Sequence, residues 1–406
     1  MKASAHFRLF RALAQEIQKR PQQGIQLWWD DLDAYHCLRC GHACDRPWAV
    51  HISQAWLETW GEKLSDLLCL PLQEIVQPEK APTPFRYASL RKQRGSFDCI
   101  FLDKNKLCKI HSQWGAEAKP EICQRFPHTA SALASEHFQA YGLAGSCTDV
   151  AQKLTSKRVL RYQWKDLASQ GGPPVLQVFG DQSLNLGGFI AWIGLQLDTL
   201  EQSKNLSEWI QFQIQALTAL LQGPQVSDLI AVEGIFENLQ PLEDQTALKP
   251  HEIQHFLKGL VLFLLQPRPE LKDFLHWLMQ PESMSAWKMN ASEAQELQAF
   301  SHAWLQTQLL LHGFLSQGSL NLLQETMFWG VCALLIQLYA LYLRSQHGSR
   351  LLRTDLEAGL NQIYAFLVQD YSPKGVIRLQ TTRKEACLIQ LSLLARWQWP
   401  NSEPGP

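Results

Sequence analysis

Cys37, Cys40, Cys44, Cys69, Cys99, Cys108, Cys123 and Cys147 stand close together in the sequence, and only Cys332 and Cys387 lie beyond them. The tightest group reads Cys37-Leu-Arg-Cys40-Gly-His-Ala-Cys44. A two-residue spacer lets one turn aim two sulfurs at one ion, and Gly41 supplies the backbone freedom that such a turn requires. Four thiolates hold a tetrahedral zinc ion, and four also hold a [4Fe-4S] cluster, so spacing leaves zinc and iron–sulfur both open. Cys37, Cys40, Cys44, Cys99, Cys108, Cys123 and Cys147 would be enough for a cluster and a separate zinc together. Thiol exchange, the other chemistry of CxxC, goes with a βαβ pattern that these residues lack. Cys69, inside LSDLLCLPL, and Cys332 and Cys387, on apolar helical stretches, read as small buried hydrophobes. Trp28, Trp29, Trp48, Trp56, Trp60 and Trp114 surround the cysteines in sequence and read as packing.

A second metal pattern, His251-Glu-Ile-Gln-His255, is literally HExxH, with Glu252 in the place of a general base. It follows Pro250, which puts both histidines in a helix's exposed first turn, and we read it as a chance match. P-loop, GxSxG and kinase-type motifs are absent, so common nucleotide and serine-hydrolase mechanisms have no support.

The elements expected to position the cysteines are short. Asp98 to His111 has two apolar runs around Asp103, Lys104, Asn105 and Lys106, a hairpin pattern that would bring Cys99 near Cys108. Pro120 suits the first turn of a helix carrying Cys123, with Glu121 at its positive end. That placement predicts a lowered pKa for the Cys123 thiol.

After about residue 170 the chain is rich in Leu, Gln and Trp at helical spacing, and helices are predicted at 186–202, 207–222, 251–265, 271–279, 292–316, 320–344, 353–369 and 383–398. No fixed repeat links them. The expected fold is mainly α: a small cysteine-rich, metal-centred domain with a short β-hairpin, followed by an irregular helical bundle. The expected divisions are an N-terminal amphipathic helix and linker (1–34), the cysteine-cluster domain (35–170), a helical domain (171–399) and a tail (400–406).

Several motifs in order carry a resemblance: the CxxCG start, CIFLDKNKLCKIH, HSQWGAEAKPEICQRFPH and GSCTDVA. Over about Tyr35 to Lys153 the chain resembles the YkgJ-like, or CxxCxxCC, family of zinc- or iron-chelating cysteine-cluster proteins. The resemblance implies Cys37, Cys40, Cys44, Cys99, Cys108, Cys123 and Cys147 as ligands, with Lys119, Pro120, Arg125, Phe126 and Pro127 as framework. Where the family commonly has a cysteine pair, this chain has Ala43-Cys44, so His42, His111 or His128 is a candidate replacement. The overall layout is also similar to flagellin lysine N-methylases, which implies protein-lysine methyl transfer from S-adenosylmethionine. A GxGxG turn after a strand is missing, and Gly187-Gly188 reads as a close helix contact or a turn.

Composition limits the partners. Lys plus Arg number 37 and Asp plus Glu 38 in 406 residues, so no net field favours nucleic acid, and none is expected as a partner. Met1 to Arg20 forms an amphipathic pattern with Phe7, Phe10, Leu13 and Ile17 on one face and has no unbroken apolar core of a signal peptide. The expected compartment is the cytoplasm, where reducing conditions turn grouped cysteines toward metal. The longest apolar run, Met327 to Leu343, carries Gln337 and is read as a buried helix, with no membrane span expected. No protein partner is indicated.

Overall fold

The computed structural model describes residues 3–33, 35, 41, 44–45, 49–133, 137–144, 147–154, 158–168, 175–240, 252, 271–280, 288–311, 320–348 and 350–364. The fold is mainly helical, with three small sheets. Helix α1 (Ala5–Lys19) is capped by the Ser4 hydroxyl, which accepts the His6 N–H, and it buries Phe7, Phe10, Leu13, Ala14 and Ile17. Strand β1 (Gln23–Trp29) follows at once, so the stretch expected to be a linker contains a central strand instead. Ile25, Gln26, Leu27 and Trp29 are all buried, as in a strand covered on both faces.

The cysteine region then runs through β2 (Val50–Ile52), α2 (Gln54–Leu68), α3 (Leu72–Ile75), β3 (Val76–Thr83), β4 (Arg86–Leu90), α4 (Lys109–Trp114) and α5 (Glu121–Arg125). Strands β2, β4 and β3 form one antiparallel sheet. The chain continues through β5 (His128–Leu133), β6 (Phe138–Leu143), α6 (Thr148–Lys153) and β7 (Leu160–Asp166), which assemble with β1 in the order β5-β6-β1-β7. In that sheet β1 runs parallel to β6 and antiparallel to β7.

Strands β8 (Val175–Phe179), β9 (Gln182–Asn185) and β10 (Val226–Ser227) make a third sheet beside α7 (Leu186–Gln202), α8 (Leu206–Gln222) and α9 (Leu229–Asn238). The described helices end with α10 (Lys272–Leu278), α11 (Ala291–Leu311), α12 (Leu322–His347) and α13 (Arg353–Tyr364). Apart from Glu252, the predicted helices at 251–265 and 383–398 lie outside the described residues, as do both HExxH histidines. Helix α12 opens with a capping box between Asn321 and Gln324 and closes at Gly348, at φ 65°. Among the described residues it is one helix long and apolar enough to cross a membrane, yet 83% of its apolar window is buried within the fold.

Two apolar cores result. The larger joins α1, β1, β6 and the helices from α7 onward. The smaller runs only from Val50 to Ala118 with Cys44, Cys108 and Cys123 packed against it. Glycine sets the approach of α1 to α7. A Cβ at Gly194 would stand 2.5 Å from Phe10 Cβ, and one at Gly188 would stand 2.6 Å from the Ser227 carbonyl, so the Gly187-Gly188 pair marks a close contact.

Buried Arg158 ties the sheet region to α11. Its guanidinium lies 3.1 Å from the Asp31 carboxylate, donates to Thr307 Oγ1 at 2.8 Å and to the Ala303 carbonyl, and stacks 4.9 Å from the Trp29 ring. Gly194→Ala is expected to lower stability by about 1–3 kcal/mol through overpacking, and Arg158→Met by about 3 kcal/mol through the stranded Asp31. Urea unfolding read by far-ultraviolet circular dichroism measures both.

Candidate metal centre

The chain enters the smaller core through Gly41, which sits at φ 70° where a Cβ would collide with the Lys106 backbone. The Gly41 carbonyl accepts the Cys44 N–H at 2.7 Å, and the Cys44 carbonyl accepts the Cys99 N–H at 2.7 Å. Cys99 faces Lys92 in an antiparallel bridge. The hydrogen bonds flank that pair, from Ile100 N–H to the Arg91 carbonyl (3.1 Å) and from Gln93 N–H to the Asp98 carbonyl (2.8 Å). Lys92 and Cys99 are therefore a non-hydrogen-bonded pair, in which the two side chains share a face at their closest spacing.

Cys108 is placed by a loop and not by the ladder of a regular hairpin. Asp103 N–H donates to the Leu107 carbonyl at 2.9 Å, and the Asp103 carboxylate accepts the Asn105 and Leu107 N–H groups, each at 2.8 Å. A single bridge, Leu102 opposite Cys108, remains of the expected hairpin, because the side chain of Asp103 satisfies backbone donors that a ladder would have used. Cys108 stands at the N-cap position of α4. Cys123 lies in α5, one turn long, with Pro120 just before it and its N–H donated to the Pro120 carbonyl at 2.8 Å. Glu121 accepts the Ser53 hydroxyl at 2.8 Å, which fastens α5 to the start of α2.

Cys44, Cys99, Cys108 and Cys123 are free thiols near enough for charge on one to be felt by the others. Burial pushes the Cys44 thiol up to about 12, with Cys99 and Cys108 adding to the rise. Burial likewise raises Cys99, and it raises Cys123, where Cys99, Cys44 and Cys108 contribute further. The lowered pKa expected of Cys123 is thus overturned: loss of water outweighs the field of a single helical turn. Two lysines act the other way. Lys92 lowers Cys44 and Cys99, and Lys119 lowers Cys44 and Cys123. Burial in turn lowers Lys92 itself, opposed by Cys99, Cys44, Cys123 and Asp45. Among the described residues, no three His, Cys, Asp or Glu side chains are grouped tightly enough to hold a metal as they stand.

The other predicted residues fall elsewhere. Cys37, Cys40 and His42 lie outside the described residues. Cys147 is buried in a separate small cluster with Leu143 and Val150, its sulfur 3.6 Å from the Tyr35 hydroxyl. The same Tyr35 ring meets His128 edge-on at 5.5 Å. His111 lies on α4. Cys332 is buried, as expected, and Cys387 lies outside the described residues. Cys69, expected to be buried, is exposed. It ends α2 at φ 52°, with Cys69 N–H donated to the Asp66 carbonyl and Leu70 N–H to the Ser65 carbonyl, a Schellman closure that turns its side chain out of the core. Trp56 is buried with its N–H on the Ala118 carbonyl at 3.1 Å, and Trp60 packs on Trp114. Lys92 was missed by sequence reasoning, since Arg91-Lys92-Gln93-Arg94 reads as a solvated run.

A buried thiol with a raised pKa stabilises the metal-free fold fully below its unfolded pKa, about 8.5. That contribution is lost as pH rises toward the folded value, about 12 for Cys44. The urea midpoint of the metal-free chain should therefore fall between about pH 8.5 and pH 10.5, and less steeply in Cys44→Ala. Equal slopes in the two proteins would contradict this.

No family model and no solved structure matches the chain. It is 31% identical over 97 residues to an uncharacterized protein of Methanocaldococcus jannaschii. That stretch is 24% of this chain and 46% of the relative, so the chain spans a little under half of the relative's length.

Proposed function

We propose that this is a metal-binding protein of the cysteine-cluster type, in which Cys44, Cys99, Cys108 and Cys123 bind zinc or a [4Fe-4S] cluster in the smaller core. The observation that supports the reading is that four free thiols from separate chain segments lie in or against the one smaller core, within reach of each other's charge but not yet grouped as a metal site. Four neutral thiols add little to a small core beyond modest apolar area. A soft metal ion would deprotonate them and turn four separate segments into one crosslinked unit. The donors suit this: all are sulfur, they come from short elements held by backbone hydrogen bonds, and Cys99 is buried with the other three half-buried. Cys37, Cys40 and Cys147 complete the proposed ligand set, although Cys147 stands in a separate small cluster. Trp56, Trp60 and Trp114 would wall such a centre from solvent. A reducing compartment, the cytoplasm, would keep the thiols available.

Metal analysis and an absorption spectrum on protein purified without air provide the test. Stoichiometric zinc without colour, or iron and sulfide with a band near about 400 nm, supports the proposal. Cys44→Ser and Cys123→Ser should each lose the metal, whereas Cys69→Ser and Cys332→Ala should keep it. Full metal content in the first two variants would overturn the ligand assignment. Tight binding of S-adenosylmethionine by the wild-type chain would instead direct attention to methyl transfer.

A further inference from the structure

We infer that the tip of the β3–β4 hairpin is a docking site for an acidic, partly apolar segment of another protein, with Arg86 taking a carboxylate of that segment and Phe85 and Tyr87 taking its apolar side chains. The inference is independent of the metal-centre reading. Thr83 is the strand partner of Arg86, so Pro84 and Phe85 form a two-residue turn between the strands. Phe85 is 85% exposed there, and Tyr87 is 40% exposed. A lone apolar residue in water is ordinary, but these two flank an arginine on a turn that is firmly held. The ring of Pro84 fixes its own φ, the Pro84 carbonyl accepts the Gln54 N–H at 2.9 Å, and Thr83 Oγ1 accepts the Arg86 N–H at 3.1 Å. Aromatic groups ordered in advance lose little entropy when a partner covers them.

Arg86 is held in place as well. His51 on β2 is the partner of Ser89 on β4, so its imidazole lies on the sheet face of Tyr87 and Ser89, opposite the buried Ala88 and Leu90. The Arg86 guanidinium reaches that face, 2.9 Å from His51 Nε2, and His51 Nδ1 lies 2.9 Å from Glu79 Oε1. A guanidinium cannot accept, so Nε2 accepts from Arg86 and the ring hydrogen sits on Nδ1, donated to Glu79. Among the described residues His51 is the one acceptor of the Arg86 side chain, which leaves the rest of the planar fork for a carboxylate. One guanidinium, with Glu79 behind its histidine, suits a single negative charge, whereas phosphate groups, with nearly two, are met by clusters of arginine. The surrounding chain favours a partner of the same sign: residues 80–125 hold ten Lys and Arg against four Asp and Glu. Of those four, Asp98 is paired with Lys106, Asp103 accepts two backbone N–H groups and Glu121 accepts the Ser53 hydroxyl. Lys80, Arg91 and Arg94 are exposed. Aromatic rings around an arginine are also the composition enriched at the centres of protein interfaces.

The test selects a random-peptide phage library against the full chain as purified, then measures synthetic versions of the selected peptides by fluorescence anisotropy. The selected peptides should carry Asp or Glu beside an aromatic or aliphatic residue. Phe85→Ser and Arg86→Gln should each weaken their binding about 30-fold, and Tyr87→Ser should weaken it too, which reads the same surface if either of the first two does not fold. Circular dichroism identifies the folded variants. Lys63→Gln, at an exposed site on α2, should bind as wild type does. Selection of no peptide, selection of peptides without acidic residues, or wild-type affinity in whichever of the three hairpin variants fold would overturn the inference. So would self-association of the wild-type chain that Phe85→Ser abolishes in sedimentation velocity, because the occupant would then be a second copy of this chain. Binding of a labelled oligouridine that Arg86→Gln abolishes would overturn it in favour of single-stranded nucleic acid.

Discussion

A thiol taken out of water stays neutral unless a cation compensates it, and in the smaller core that condition bears on Cys44, Cys99 and Cys123 at once. The four thiols there are each held by backbone and not by their neighbours' side chains. Cys44 follows the Gly41 turn, Cys99 hangs from the Cys44 carbonyl, Cys108 begins α4, and Cys123 follows Pro120. Backbone hydrogen bonds of this kind are short and numerous enough to fix where sulfur sits whatever its protonation state. Desolvation therefore acts on a preset arrangement, and Lys92 and Lys119 are the cations that the arrangement brings to it.

Much of this arrangement could be read from residue spacing. The grouping of cysteines, the need for Gly41, the role of Pro120 before Cys123, and the amphipathic first helix all rest on local rules, and local rules work where neighbours in sequence decide the geometry. Helices α7 and α8 were legible for the same reason. Strand β1 was not, because its strand partners lie far along the chain. Helix α9 was overlooked in a stretch between Gly223-Pro224 and Gln240. Cys69 was misplaced because LSDLLCLPL shows apolarity but not the left-handed residue that closes α2 before Pro71. The loop at Asp103 looked like a hairpin because sequence shows its turn residues and not which donors the aspartate will take. Lys92 is the instructive omission: a lysine in a charged run carries no mark of the strand that will turn it toward sulfur.

The larger core bears on the cysteine region through arginine. Arg158 holds α11 against Trp29 and Asp31, at the point where the chain leaves β1. Arg353, on α13, donates to the Ala151 and Leu154 carbonyls at the end of α6, the helix that opens with Cys147. Both use a guanidinium that satisfies several acceptors at once, which suits a join between elements distant in sequence. The helical bundle thus supports the Cys147 segment directly, while the other four thiols belong to a core of their own.

The parallel pairing of β1 with β6 joins strands that are far apart in the chain. Gln26 and Gln139, hydrogen-bonded neighbours across those strands, are 113 positions apart, and nearly the whole of the smaller core lies between them. Closing a sheet across so long an intervening chain is entropically slow, since loop entropy is spent before the contact repays it. Once the intervening segment has collapsed onto itself, the ends of β1 and β6 are separated by a compact body and not by an open coil. The search that joins β1 to β6 becomes shorter when the cysteine region between them has condensed.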